Sequence, residues 1–221
     1  MDKLSQLKKL EEEIIKDISL PLREANLVFG EGNINSDIIF IGEAPGQRED
    51  ELKRPFVGRS GQLLDQLINK IGWQREDVYI TNIVKRRPPD NRDPLPEEIE
   101  AYKPYLARQI EIINPKIVAT LGRFSMNYFM PAAKISRDQG KVFKWVEKGE
   151  MGTKVMRLIV PLFHPAAALR ATTVLNQLEA SFKKLPAIIA KAESLNQPEI
   201  GENHPTLSQN LSQTVPQERL F

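Results

Sequence analysis

Short apolar runs alternate with amphipathic stretches along most of the chain. The apolar runs predict strands at residues 37–41, 78–84, 117–121 and 155–163. Apolar residues at helical spacing predict helices at residues 3–18, 62–71, 96–113 and 173–191, with another after Gly122. Because strands that alternate with helices usually pair in parallel, we expect an α/β fold, a three-layer α/β/α sandwich with a central four-stranded parallel sheet.

The pattern changes near the C-terminus. Residues 194–221 are dominated by Asn, Gln, Ser, Pro and Glu, and apolar residues become sparse. Such a composition buries too little apolar surface to fold. We therefore predict one domain at residues 1–193 and a disordered tail at residues 194–221.

Composition excludes several classes of protein. The chain has 221 residues, of which 41% are hydrophobic, and this suits one domain with a sizeable core. Its formal net charge of +2 favours no class of partner. It has no cysteine, which excludes disulfides, cysteine-ligated metals and a cysteine nucleophile. No apolar run reaches the roughly 20 residues of a membrane span, and the N-terminus has no signal-peptide core. We expect a cytoplasmic protein, without a metal, that is not bound to a membrane.

The turn after the first predicted strand is the first candidate site. It contains Gly42, Ala44 and Gly46, and the carboxylates Glu43 and Glu49 flank it. In open parallel sheets, ligands bind beyond the carboxyl ends of strands. The two glutamates are either solvated loop residues or groups that orient water and stabilise a developing cation.

Three further side chains could bind a substrate. Phe56, in a glycine-flanked loop, is either a core anchor or a platform for a stacked base. Asn82 lies inside an otherwise apolar strand, near its carboxyl end, where its amide satisfies backbone groups or suits the edge of a pyrimidine. His164 follows the fourth predicted strand and is either structural or a hydrogen-bond donor to a leaving-group oxygen.

Basic residues follow the same strand ends and loops. Lys85, Arg86 and Arg87 are consecutive, and Arg59 and Arg170 stand in two other candidate loops. Such residues usually form a solvated surface. They would alternatively form one positive rim for nucleic-acid phosphates, with Arg59, Lys85, Arg87 and Arg170 as the contacts.

Five collinear motifs together resemble the family-four uracil-DNA glycosylases. They are Gly42-Glu43-Ala44-Pro45-Gly46 with Glu49-Asp50, Arg54-Pro55-Phe56-Val57-Gly58-Arg59 with Gly61-Gln62-Leu63-Leu64-Asp65, Thr81-Asn82-Ile83-Val84-Lys85, Arg87-Pro88-Pro89 with Asn91-Arg92 and Pro94, and His164-Pro165 with Leu169-Arg170. The resemblance covers about residues 10–190. Any one motif is weak, but their shared order is specific.

The resemblance implies excision of uracil from a nucleotide flipped out of DNA. Phe56 would stack on the base, and Asn82 would bind its Watson–Crick edge. His164 would stabilise the departing uracil, and Glu43 or Glu49 would stabilise the sugar cation or hold the water. Related glycosylases place an aspartate in the first motif where this chain has Ala44.

One departure from the family concerns a cofactor. Members of that family hold an iron–sulfur cluster on four cysteines, whose positions here match Asp17, Leu20, Arg86 and Tyr102. None can supply a thiolate, so we predict that no cluster is bound. An ion pair between Asp17 and Arg86 could fix the N-terminal segment instead.

The last five residues, Gln217 to Phe221, resemble peptides that dock on the bacterial sliding clamp. Leu220 and Phe221 would fill an apolar pocket, and Gln217 begins the motif. A chance match in a polar tail is the alternative. We expect a monomer whose main partner is uracil-containing DNA.

Two other functions stay open. The runner-up is a non-catalytic module that binds uracil or damaged DNA. A doubly wound nucleotide-binding regulator ranks last, because the chain has no phosphate-binding Gly-x-x-x-x-Gly-Lys-Ser/Thr pattern.

Overall fold

A computed structural model describes residues 2–148 and 154–195. The helices are α1 (Lys3–Lys16), α2 (Gln47–Leu52), α3 (Arg59–Lys70), α4 (Pro96–Ile113), α5 (Arg123–Phe129), α6 (Ile135–Asp138), α7 (Pro165–Ala168), α8 (Thr172–Phe182) and α9 (Leu185–Leu195). The strands are β1 (Glu31–Gly32), β2 (Ile38–Gly42), β3 (Tyr79–Asn82), β4 (Ile117–Leu121), β5 (Phe143–Lys148) and β6 (Lys154–Leu162). Helix α9 includes residues 194 and 195, the first two of the predicted tail. The rest of that tail, with Gln217, Leu220 and Phe221, lies outside the described residues.

The strands form one mixed sheet in the order β1-β3-β2-β4-β6-β5. The four central strands, β3, β2, β4 and β6, are parallel and correspond to the four predicted strands. The α/β sandwich is therefore confirmed. The strand number needs correction, because β1 and β5 add an antiparallel strand at each edge. Strand β1 has only two residues, too few for an alternating pattern to predict.

Helices cover both faces of the sheet, because consecutive residues of the central strands point in opposite directions. From β2, Ile38 and Phe40 join the core formed with α3, α8 and α9. Ile39 and Ile41 join the opposite core, which includes residues of α1, α4 and α5. All five residues of β2 are buried, as expected for a central parallel strand. No helix in the described part is both long and apolar enough to span a membrane.

Several helix ends differ from the prediction. Helix α1 stops at Lys16, which leaves Ile18 83% exposed beyond it. Helix α3 begins at Arg59, with Gly58 as its N-cap, three residues before the predicted start at residue 62. The long final helix is divided into α8 and α9. Helix spacing alone does not reveal such breaks, since apolar residues continue on both sides of them.

Two buried side chains hold the segment that follows α1. The Tyr102 hydroxyl donates to the Pro21 carbonyl at 2.8 Å, and Arg86 Nη1 donates to the Ala25 carbonyl at 2.5 Å. The expected Asp17–Arg86 ion pair is wrong. Asp17 instead accepts from the Tyr105 hydroxyl at 2.5 Å and from Ser19. The segment is thus fixed by hydrogen bonds from α4 and from the turn after β3.

We predict that Tyr102→Phe destabilises the protein more than Tyr105→Phe does. Each change removes one hydroxyl of α4 that bonds to the N-terminal segment, but only Tyr102 is fully buried. Leaving the Pro21 carbonyl without its donor costs about 1–3 kcal/mol, or a fall in Tm of about 2–12 °C. Calorimetry of both variants measures the difference. Equal shifts would contradict the special role of Tyr102.

Candidate active site

A cavity of about 540 Å³ opens beyond the carboxyl ends of the central strands. Parallel sheets commonly bind ligands at this edge, and the volume suits a small organic ligand. The residues that line it are Ala44, Gly46, Gln47, Glu49, Phe56, Gly58, Arg59, Ser60, Asn82, Asn91, His164 and Ala166. Seven of the residues singled out from the sequence are therefore brought together here.

Phe56 forms one wall of the cavity. Its backbone has φ of +51°, which is uncommon for a residue with a Cβ and costs of order 1–3 kcal/mol. Its ring centroid lies 5.7 Å from that of His164. A Cβ at Gly42 would lie within 3.0 Å of the Phe56 ring and of Asn82 Oδ1, so only glycine fits there. Gly42 does not line the cavity, but its missing side chain makes room for two residues that do.

Asn82 is the last residue of β3, directly opposite Gly42 in β2. Its side chain is only 2% exposed, and Oδ1 accepts no hydrogen bond from the described residues. An unpaired buried acceptor costs about 1–3 kcal/mol. Asn82 is also a lining residue of the cavity, so its amide is a candidate partner for a ligand that brings an N–H donor.

His164 is held in one tautomer. It is the N-cap of α7, and its Nδ1 accepts a hydrogen bond from the Ala166 backbone amide at 3.1 Å. In a neutral ring the proton must then lie on Nε2. Burial lowers the pKa of His164 to about 4, although the nearby Glu49 carboxylate acts in the opposite direction. The residue is therefore a neutral hydrogen-bond donor at neutral pH.

The two candidate glutamates have different surroundings. Glu49 lines the cavity, and its Oε1 accepts from the backbone amides of Val57 and Gly58 at 2.9 and 2.7 Å. Glu43 is not among the lining residues. Its Oε1 lies 3.5 Å from the Phe124 amide of α5, and burial raises the pKa of Glu43 to about 7.

The Glu43 carboxyl nevertheless lies near His164. Gly122 stands between them, because a Cβ on it would contact both Glu43 Oε1 and the Cβ of His164, the latter at 3.2 Å. Gly122 has φ of +97°, a conformation that favours glycine. Asp93 raises the pKa of Glu43 further, whereas Arg123 lowers it. A charge on Glu43 would thus act on the cavity over a short distance, although Glu43 does not line it.

The four basic candidates, Arg59, Lys85, Arg87 and Arg170, also differ in their surroundings. Arg59 lines the cavity and is exposed, and Arg170 is exposed in the turn between α7 and α8. Arg87 donates from Nε to Asn91 Oδ1 at 2.8 Å. These three remain available to a ligand outside the cavity.

Lys85 is a correction to the expected positive rim. It is fully buried, and its Nζ donates to Thr81 Oγ1 at 2.6 Å and Gln109 Oε1 at 2.5 Å. Burial lowers the pKa of this amine well below its ordinary value. Lys85 therefore cannot contact a phosphate without leaving the core.

Asn91 is a lining residue to which the sequence interpretation gave no role. It follows Asp90 in a short 3-10 turn, and both residues have positive φ, +53° and +52°. Asn and Asp tolerate this conformation better than other side chains with a Cβ. The Pro-Pro-Asp-Asn sequence signalled a turn, but it did not signal that the turn reaches the cavity.

The structure offers no obvious metal site. Among the described residues, no three His, Asp or Glu side chains are grouped as a metal site requires. At the positions matched to cluster cysteines, Leu20 and Tyr102 are packed in the core and Arg86 donates to carbonyls. These side chains do not fit an iron–sulfur cluster, which is held by thiolates.

Comparisons with known proteins identify the family to which the chain is similar. The sequence model described as "Uracil DNA glycosylase superfamily" matches residues 29–186. The chain is 44% identical over 190 residues to a type-4 uracil-DNA glycosylase of Sulfurisphaera tokodaii, covering 82% of this chain and 84% of the relative. It is 49% identical over 166 residues to that of Saccharolobus solfataricus, covering 72% and 74%. It is 46% identical over 153 residues to that of Thermotoga maritima, covering 68% and 76%.

Proposed function

Because the chain belongs to the uracil-DNA glycosylase superfamily, we propose that it is a monofunctional uracil-DNA glycosylase. It hydrolyses the N-glycosidic bond of deoxyuridine in DNA and so initiates base excision repair. The observation that carries the proposal is the buried, unpaired Oδ1 of Asn82 in the cavity wall. Uracil has an N–H at position 3 that would satisfy this acceptor, whereas cytosine has a lone pair there. The asparagine thus supports discrimination between the two bases.

The target nucleotide must first leave the duplex, at a cost of a few kcal/mol. The flipped base enters the cavity and stacks on Phe56, an interaction typically worth about 1–3 kcal/mol. Arg59, Arg87 and Arg170 contribute phosphate contacts that hold the DNA. The base reaches the cavity only after flipping, because an active site cannot reach a base that is stacked inside the duplex.

Bond cleavage then leaves negative charge on the uracil and positive charge on the sugar. His164 donates from Nε2 to a uracil carbonyl oxygen, where the negative charge develops. Removal of one such donor typically costs about 10²–10³ in rate. A neutral histidine is suited to this role, since it stabilises the leaving group without needing to hold a second proton.

The carboxylates act on the sugar and the water. Glu49 faces the cavity, and we assign it the orientation of water beside the sugar cation. Glu43 acts through space as a buried negative charge near His164. Ala44 offers no carboxylate at the position where related glycosylases have an aspartate, so leaving-group stabilisation carries a larger share of catalysis.

The enzyme works without an iron–sulfur cluster in this proposal. Support comes from the absence of cysteine from all 221 residues. The hydrogen bonds of Tyr102 and Arg86 to the N-terminal segment supply the fixation that a cluster would otherwise give. A monomeric state and a location in the cytoplasm complete the proposal. The domain boundary at residue 193 stays a prediction.

The first test is single-turnover excision from a labelled duplex with one uracil–guanine pair. Wild type should give alkali-cleavable abasic sites, and no cleavage should occur at cytosine. Asn82→Ala should slow uracil excision at least about tenfold, because the N–H donor loses its acceptor. His164→Ala should slow it about 10²-fold or more.

Asn69→Ala is the matched control, because Asn69 is exposed on α3 and does not line the cavity. It should match the wild type. No product from wild type, with tight uracil-dependent binding retained, would favour the non-catalytic binding module instead.

A second prediction concerns the pH dependence of the same rate. If ionised Glu43 is required, the rate should fall about tenfold per pH unit below pH 7, since burial raises its pKa to about 7. His164 stays neutral down to about pH 4, so it contributes no change between pH 5 and 8. Glu43→Gln should be slower but should lose the inflection. An inflection near pH 7 that persists in Glu43→Gln would contradict the assignment.

The C-terminal peptide adds a proposal about a partner. We keep the expectation that Gln217, Leu220 and Phe221 bind a sliding clamp, which would bring the enzyme to replicating DNA. Deletion of residues 217–221 should abolish co-purification with a bacterial clamp and leave excision from short duplexes unchanged. Retained clamp binding after the deletion would refute the proposal.

A further inference from the structure

The loop that carries Phe56 is held from two sides by charged groups. On one side, Glu49 Oε1 accepts hydrogen bonds from the Val57 and Gly58 amides. On the other side, Arg75 donates to the carbonyls of Pro55 and Phe56. These two amides and two carbonyls belong to four consecutive residues, 55–58. The position of the Phe56 ring therefore depends on both side chains.

Arg75 reaches this loop from outside the cavity. Its Nη2 lies 2.5 Å from the Pro55 carbonyl oxygen, and its Nη1 lies 3.2 Å from that of Phe56. The side chain is only 14% exposed and is not among the residues that line the cavity. It follows α3 and precedes β3, so it ties the loop to the body of the fold.

Two carboxylates hold the guanidinium in this position. Arg75 pairs with Glu31 at 2.6 Å and with Asp65 of α3 at 2.7 Å. A planar guanidinium presents five donors in a fixed arrangement, which suits a site with two carboxylates and two carbonyls. Because both carboxylates neutralise its charge and it is mostly buried, Arg75 is poorly placed to contact a DNA phosphate.

We propose that Arg75 is a positioning residue that holds the Phe56 ring in its base-stacking orientation. The inference rests on the proposed function, since stacking matters only if a base enters the cavity. Phe56 adopts a positive φ that a free loop would seldom populate. The hydrogen bonds from Arg75 to the Pro55 and Phe56 carbonyls hold the backbone in that conformation. Without them the ring would sample other positions.

The test is a double-mutant cycle with Arg75→Met, Phe56→Ala and the combined variant. Single-turnover excision of uracil is measured over a range of enzyme concentrations, which separates the maximal rate from the half-saturating concentration. Arg75→Met should lower the maximal rate about 10- to 100-fold, as misplacement of a substrate-contacting group does. The half-saturating concentration should change less than about twofold, because Arg75 is not proposed to contact DNA.

The cycle distinguishes positioning from a general structural effect. If Arg75 acts through Phe56, the combined variant should be no slower than Phe56→Ala alone. Arg75→Lys keeps one charged donor and should recover part of the rate. Arg54→Met is the matched control, because Arg54 also pairs with Glu31, at 2.7 Å, but no hydrogen bond joins its side chain to the Pro55 or Phe56 carbonyls. It should keep the wild-type rate.

Circular dichroism at the assay temperature verifies that each variant is folded, and Arg75→Lys replaces Arg75→Met in the cycle if the latter is not. Additive losses in the combined variant, or an equal loss in Arg54→Met, would overturn the inference while the proposed function stands. A wild type that excises no uracil would overturn the proposed function and this inference together.

Discussion

The close approach of three chain segments at Gly42 is the constraint on which the cavity depends. Strands β2 and β3 pair so that Gly42 faces Asn82, and the Phe56 loop folds over the same point. A side chain at Gly42 would collide with both the Phe56 ring and Asn82 Oδ1. Removing that one Cβ lets an aromatic surface and an amide edge meet at a strand end. A planar base with a hydrogen-bonding edge fits between such groups.

Electrostatics in the site follow from burial rather than from close ion pairs. His164 is kept neutral because its surroundings disfavour the charged ring, and the Ala166 amide fixes its proton on Nε2. Glu43 titrates near neutrality for the same reason. The Glu49 carboxylate lines the cavity and accepts hydrogen bonds from two backbone amides. Two glutamates that are six residues apart in the sequence thus have different surroundings, and only Glu49 lines the cavity.

The sequence was sufficient for the central sheet and for most of the cavity. Buried parallel strands have continuous apolar runs, so β2, β3, β4 and β6 were predictable, and their carboxyl ends located Asn82 and His164. Lys85 was misassigned because a basic run resembles an exposed surface. Only the tertiary structure shows that Thr81 and Gln109 receive its amine inside the core.

Two other features could not be predicted for related reasons. Asn91 reaches the cavity through consecutive positive-φ residues, and the turn signal does not give the direction of the chain. Arg75 contacts the Phe56 loop, 20 residues earlier, through backbone carbonyls. Carbonyls are common to all residues, so such a contact leaves no pattern in the sequence.

A crystal structure of the protein with free uracil tests the base-binding site most directly. We expect the ring to lie on Phe56, N3 to lie within about 3 Å of Asn82 Oδ1, and a carbonyl oxygen to face His164 Nε2. Uracil bound elsewhere would contradict this assignment of the site. So would a uracil in the cavity that leaves Asn82 Oδ1 without a donor.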